Sequence, residues 1–246
     1  AFGMIPISDS FQDALIQEQI AQYRKLLEDV GKDQEKRITR SRLEKQIERL
    51  EQRLTGRSGG RKDQVYTFEE MGVDFLFVDE AHLFRKLDFS TKMSNVEGIS
   101  PEGSMGSWDL CVKSRYLETI TPGRNLVLAS GTPVTNTMAE LFTVSRYLQP
   151  SELHDRALDH FDAWAGAFGD TVTNLEQNAS GGYQPVTRFA KFVNVPELSN
   201  MVRQIMDVVT SKQLSQYVTR PQLKTGKRQM NLADKTPALE AYQSEL

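Results

Sequence analysis

The chain is 246 residues long, enough for one substantial domain with an insertion, and 26% of its residues are charged. No apolar run approaches the roughly 20 residues of a membrane-spanning helix, which sets the helical membrane classes aside. A formal net charge of −3 gives no global attraction to nucleic acid, so any such contact falls to local patches. The single cysteine, Cys111, cannot form an internal disulfide and reads as a helical core residue. A reducing compartment fits it, and a cytoplasmic location is expected.

Ala1 to Ile7 reads as the end of a strand. Ile16, Ile20, Tyr23, Leu27 and Val30 then recur at 4-3-4-3 spacing, and Leu43, Ile47, Leu50 and Leu54 at 4-3-4, with Gly31-Lys32-Asp33 as a turn between them. Two such seams bury each other best as an antiparallel helical hairpin. Its second helix is strongly basic: Lys36, Arg37, Arg40, Arg42, Lys45, Arg49, Arg53 and Arg57 run on to Arg61 and Lys62. Glu44, Glu48 and Glu51 offset part of that charge. Such a face is either a solvated coiled-coil surface or an arm that meets DNA phosphates, with Arg49, Arg53 and Arg57 as candidate contacts.

Phe75 to Val78 is an apolar run too short for a typical helix, and it delivers Asp79, Glu80 and His82 at its C-terminal end. In an open parallel sheet that end is where ligands bind, because the strand-to-helix loops converge there. Adjacent carboxylates at such a place suit nucleotide hydrolysis, one holding Mg²⁺ and its neighbour orienting the attacking water. The plainer alternative is a surface acid pair opening a helix. Leu83 to Leu87 read as continuing helix, Asp88 to Ser107 as a long mobile loop rich in Ser and Gly, and Trp108 to Ile120 as a helix ending at Thr121-Pro122-Gly123.

Leu126 to Ala129 is a second apolar strand, running into Ser130-Gly131-Thr132-Pro133, where the proline ends any ladder. Thr135 or Asn136 is placed to cap a helix beginning near Thr137, with Met138, Leu141, Phe142, Ser145 and Leu148 at helical spacing. Beyond Pro150, two short helices are expected over Ser151 to Phe168, with Phe161, Trp164, Ala165 and Phe168 as a core stripe. A hairpin of Val172 to Leu175 with Tyr183 to Phe192 follows, then an amphipathic helix over Val195 to Val209, and Lys227 to Leu232 reads as strand.

The run from Val73 to His82, ending Asp79-Glu80-Ala81-His82, resembles motif II (Walker B) of superfamily-two helicases and translocases. Ser130-Gly131-Thr132-Pro133 with Asn136 resembles motif III of their DEAH-type, Swi/Snf-like branch, and Ala139-Glu140-Leu141-Phe142 and Tyr147-Leu148-Gln149-Pro150 extend the likeness. More widely, residues 61–170, and more weakly 1–8 and 220–246, resemble the helicase part of large phage- and plasmid-borne polypeptides that join such a motor to an adenine methyltransferase.

The resemblance implies an α/β fold: part of a RecA-like P-loop NTPase domain, a parallel sheet flanked by helices, with the antiparallel helical hairpin inserted. It divides the chain into a strand and loop of the first motor domain (1–10), the hairpin (11–60), the half carrying motifs II and III (61–150), a helical and β-hairpin extension (151–210) and a linker toward a second motor domain (211–246). It implies ATP and Mg²⁺, with Asp79 holding the ion through water and Glu80 polarising the water that attacks the γ-phosphate. His82 with Ser130 or Thr132 would pass the nucleotide state between motifs, and Gly131, Pro133 and Asn136 complete the coupling motif. Lys92 and Ser94 fall near the family's DNA-backbone contacts. The implied partners are double-stranded DNA, a second RecA-like domain and a methyltransferase domain of the same polypeptide, with no membrane.

The chain departs from the pattern in places. Phe84-Arg85-Lys86 stands where family members carry a Lys-Asn pair. A Gly-x-x-x-x-Gly-Lys-Ser/Thr phosphate loop is missing, since Gly31-Lys32 leads into Asp33 and Gly226-Lys227 into Arg228. The sequence also lacks an Asn-Pro-Pro-Tyr or Asp-Pro-Pro-Tyr methyltransferase motif. The expectation is therefore a motor fragment that hydrolyses ATP poorly alone. A non-catalytic DNA-binding or scaffolding module is one alternative. A metal-dependent hydrolase built on Asp79, Glu80 and His82 is another, although three ligands on one short turn cannot easily face one ion.

Overall fold

In a computed structural model of the chain, Leu76–Val78 (β1) and Leu126–Leu128 (β2) pair as parallel strands, with Leu76 opposite Leu126, Phe77 opposite Val127 and Val78 opposite Leu128. The structure describes residues 3, 5–30, 37–56, 66–93, 96–97, 99, 101–135, 137–178, 181–219, 226, 236–239 and 242, with backbone alone at 29, 30, 37–39 and 56. The expected turn at Gly31-Lys32-Asp33, the residues Lys36, Arg57, Arg61, Lys62, Ser94 and Asn136, and the expected strand from Lys227 to Leu232 lie outside the described residues. The chain divides into two units: Ala1–Val172 with Thr187–Val195, and Thr173–Val186 with Pro196–Leu246.

In the first unit, Asp9–Val30 (α1) and Arg37–Gly56 (α2) form the hairpin that the spacing predicts. Ile16, Ile20 and Tyr23 of α1 and Leu43, Ile47 and Leu50 of α2 are all buried, and Arg24 reaches Glu51 across the pair at 2.8 Å. The seam does not close on itself. It shares a core with Phe68 and with Trp108, Val112 and Leu117 of α3 (Met105–Ile120), so the hairpin is packed onto the body of the unit. Each fully buried Leu, Ile or Phe in such a core contributes about 1.5–3 kcal/mol.

A second core lies under the strands, where Leu76, Val78, Leu126 and Leu128 pack against Leu87, Leu110, Cys111 and Tyr147. The opposite face of the sheet is apolar yet uncovered: Phe77 is 76% exposed and Val127 42%. Among the described residues the parallel sheet is thus flanked by helices on one face only, whereas parallel strands are ordinarily buried on both. The third cluster is aromatic. Phe142 of α4 (Ala139–Leu148), Phe161, Trp164 and Phe168 of α6 (Phe161–Phe168), Phe89 and Phe189 meet at ring-centroid distances of 4.2–6.4 Å. Between α4 and α6 lies the short α5 (Pro150–Asp155).

Gly169–Gln177 (β3) and Tyr183–Phe192 (β4) form a two-stranded hairpin sheet, closed where Asn178 N donates to Gly182 O at 2.8 Å. The second unit holds the tip of that hairpin together with nearly all of α7 (Val195–Ile205), which buries Leu198 and Met201. Thr210 and Gln213 form a capping box on α8 (Ser211–Leu214). Among the described residues no helix is long and apolar enough to cross a membrane.

Several expectations need correction. Residues 5–7 form no strand; instead Phe68 N donates to Pro6 O at 2.7 Å and Ser8 N to Glu69 Oε1 at 2.9 Å. The segment after the acid pair is one 3₁₀ turn, Ala81–Phe84, rather than a helix to Leu87. The expected mobile loop is shorter and pinned where described. Ser104 caps α3 by accepting from Ser107 N at 3.1 Å, so that helix begins three residues early. Glu97 N donates to Thr187 O at 2.8 Å, and Asp162 holds the Thr91 hydroxyl and the Lys92 N–H. Thr135 does not cap α4: its hydroxyl accepts from Arg85 and its N–H is bound to Glu140, while Thr137 Oγ1 takes Ala139 N at 3.2 Å. The helix expected to Val209 ends at Ile205.

Gly169 closes α6 against β4 so tightly that a Cβ there would lie 1.9 Å from the buried Phe189 ring. Gly169→Ala is expected to cost about 1–3 kcal/mol through forced repacking. Urea unfolding checks it, as a lowered midpoint at unchanged slope.

Candidate functional site

The strand pairing continues past both strand ends. Leu76 N donates to Asn125 O at 2.9 Å, Ala129 N to Val78 O at 2.8 Å, and Ala81 N to Ala129 O at 2.9 Å. Because the strands are parallel, the acid pair and Ser130-Gly131-Thr132-Pro133 leave the sheet at the same end, on neighbouring chains of backbone. Between two of these bonds Glu80 adopts left-handed backbone angles, φ 51° and ψ 43°, and Asp79 Oδ1 accepts its N–H at 2.8 Å. The two carboxylates stay exposed. His82 Nδ1 lies 3.0 Å from Glu80 Oε2, at ion-pair distance but outside hydrogen-bond alignment.

Arg85 joins the two loops. Its Nε donates to His82 O at 2.9 Å, and its Nη1 to Thr132 O at 3.1 Å, to the Thr135 hydroxyl and to Glu140 Oε2 at 3.2 Å. Glu140 Oε2 also accepts Thr135 N at 2.7 Å. The pair is largely removed from water, the side chains being 15% and 9% exposed. Below it, the buried Tyr147 hydroxyl sits 3.0 Å from Phe84 O and 2.9 Å from Ser107 O, tying α4 to the 3₁₀ turn and to α3. Burial pushes its phenol pKa well above 10.0. Arg146 of the same helix donates to Asp88 O at 2.6 Å.

The sequence reading assembled Asp79, Glu80 and His82 with Ser130, Gly131, Thr132 and Pro133, and the structure places all seven at this one end of the sheet. It does not join His82 to motif III by side chain: among the described residues no hydrogen bond links it to Ser130 or Thr132, and Ser130 Oγ serves Thr132 N at 3.1 Å. The proposed DNA contacts lie on other elements. Lys92 is exposed beside Asp162, Arg49 stands 3.7 Å from Glu102, and Arg53 lies over the Trp108 ring at 5.8 Å. Arg85 and Glu140 were not singled out from the sequence as site residues. The signal for Arg85 was its place one turn after His82; nothing local in the sequence marks the pairing with Glu140 across 55 positions.

Asp79 Oδ1 accepts the Glu80 N–H, and the Asp79 side chain is exposed. Among the described residues no cluster of three His, Cys, Asp or Glu could cage a metal. That donor set fits an ion held by one carboxylate, substrate phosphates and water, as Mg²⁺ commonly is.

The family model described as a probable helicase domain matches residues 1–210. The chain belongs to that helicase-domain family. Over 170 residues it is 25% identical to the "Defense against restriction protein B" of Escherichia phage P1, a match that takes in 68% of this chain. The helicase domain spans about 8% of that relative's length. No solved structure matches it.

Tyr147→Phe tests the tie beneath the site. Removing the hydroxyl deletes the one proton shared between the Phe84 and Ser107 carbonyls and should cost about 1–2 kcal/mol in urea unfolding near neutral pH. The folded phenol is raised above 10.0, so the unfolded chain ionises first. The wild type therefore keeps its advantage below pH 10.0 and loses it as the pH rises beyond, while the Phe variant lacks this decline.

Proposed function

We propose that this helicase domain holds the motif II and motif III half of a DEAH-type, Swi/Snf-like motor domain of RecA-like fold, which uses ATP to move on double-stranded DNA in the cytoplasm. The observation that supports it most is the parallel pairing that sets Asp79 and Glu80 beside Ser130 to Pro133, with Ala81 N bound to Ala129 O at 2.9 Å. In this reading Asp79 holds Mg²⁺ through water and Glu80 accepts a hydrogen bond from the attacking water, aligning it and taking its proton at a carboxylate oxygen. When bound, the ion neutralises phosphate charge. His82, beside Glu80 Oε2, restricts the orientation of that carboxylate.

A phosphate loop, the second motor domain and a methyltransferase domain are assigned to other segments of a longer polypeptide. The uncovered Phe77 and Val127 face is where further sheet or helix of the motor would pack. Lys92, Ser94 and the basic face with Arg49, Arg53 and Arg57 are the proposed DNA contacts. Likeness to the phage P1 protein extends the proposal to a part in defence against restriction.

Glu80→Gln in the full-length protein should lower DNA-stimulated ATP turnover about 10²–10⁴-fold while ATP still binds. Normal turnover in that variant removes Glu80 from its role. A wild type that binds DNA with no turnover and no nucleotide dependence points instead to the non-catalytic scaffold.

A further inference from the structure

We infer that Arg85, acting through Glu140, is the positioning residue that makes the motif III loop follow the turn after the acid pair. This rests on the motor reading above and deepens it: the link between the motifs runs through the Arg85–Glu140 pair and not through the His82 side chain. Among the described residues, every hydrogen bond from the segment 81–85 to the loop 130–135 comes from the Arg85 guanidinium. Its Nε reads the position of the His82 carbonyl, while Nη1 holds the Thr132 carbonyl and the Thr135 hydroxyl. Glu140 fixes the far side, since one oxygen, Oε2, takes both Arg85 Nη1 at 3.2 Å and Thr135 N at 2.7 Å.

The chemistry makes this a stiff link. Charge-assisted bonds to a guanidinium that is only 15% exposed are shielded from water and stronger than their surface equivalents. The fork is rigid, so a shift of the His82 carbonyl either carries Thr132 and Thr135 with it or breaks several bonds together. That is the two-arrangement behaviour a coupling element needs. An ammonium, a compact charge without the planar fork, could neutralise Glu140 but not span all four acceptors.

The test uses the full-length protein with ATP and double-stranded DNA. Arg85→Ala and Glu140→Gln are each expected to lower the DNA-stimulated kcat roughly 10–100-fold, with KM for ATP within about twofold. The double variant should be no slower than the worse single one, and Arg85→Lys should recover only part of the rate. Additive losses, a change confined to KM, or full rescue by lysine would overturn the inference. Amide exchange in the same protein separates its failure from that of the motor reading. Arg85→Ala should speed exchange across 130–135 about tenfold or more with α3 unchanged, whether or not ATP is hydrolysed. Unchanged exchange there removes the link itself. A wild type without DNA-stimulated turnover overturns the motor reading and, with it, the coupling role.

Discussion

Parallel pairing over three residues per strand is the constraint on which the site depends. A parallel ladder sends both strands out of the sheet in one direction, so residues that follow each strand meet at one end however far apart they are in sequence. Asp79 and Ser130 stand 51 positions apart, yet their backbones are neighbours because Leu76 pairs with Leu126 and Val78 with Leu128. A slip of one residue would turn Phe77 and Val127 inward and expose four leucines and valines that now rest on Leu110, Cys111 and Tyr147. Burial on one face therefore fixes register, and register fixes which loop atoms can meet.

The hairpin affects the site indirectly, through α3. Its apolar seam shares a core with Trp108, Val112 and Leu117, and Arg53 covers the Trp108 ring while donating to Met105 Sδ at 3.5 Å. On the other side of α3, Leu110 and Cys111 lie under the strands and Ser107 O receives Tyr147. The helix is thus held between the hairpin and the sheet, and burial pushes the Cys111 thiol pKa up, as suits a packing residue. Part of the hairpin's basic charge is engaged locally, Arg24 of α1 reaching Glu51 of α2, Arg40 pairing with Glu44 along α2 and Arg49 lying near Glu102.

Legibility in the sequence followed the range of the interaction. The heptad-like seams of α1 and α2, the two apolar strands and the aromatic stripe of α6 are periodic signals, and each was readable because burial repeats on one face. Boundaries set by single hydrogen bonds were not: Ser104 starting α3 early and Thr137 closing the start of α4 depend on which of several nearby hydroxyls turns inward. The loop before α3 is legible as a loop, but its anchors, Asp162 and Thr187, lie about 70–90 residues away and leave no local signal. Asp79, Glu80 and the Ser-Gly-Thr-Pro run were legible as motifs, whereas Arg85 with Glu140 is a long-range pair that composition cannot announce.

The left-handed Glu80 shows how the two motifs constrain each other. A non-glycine residue at φ 51° costs on the order of 1–3 kcal/mol and persists only where its surroundings over-determine it. Here they do. Asp79 Oδ1 takes the Glu80 N–H, the next N–H is bound to Ala129 O, and Leu83 N returns to Glu80 O at 3.0 Å. One of those three restraints belongs to the strand that leads into Ser130, so the direction of the Glu80 carboxylate is set in part by the motif III strand. A displacement of that strand would release a strained residue at the acid pair, and a reorientation of Glu80 would pull on Ala129. The backbone bond at Ala81 and the Arg85 fork therefore act in parallel, the first holding the turn to the end of the motif III strand and the second holding it to the loop beyond.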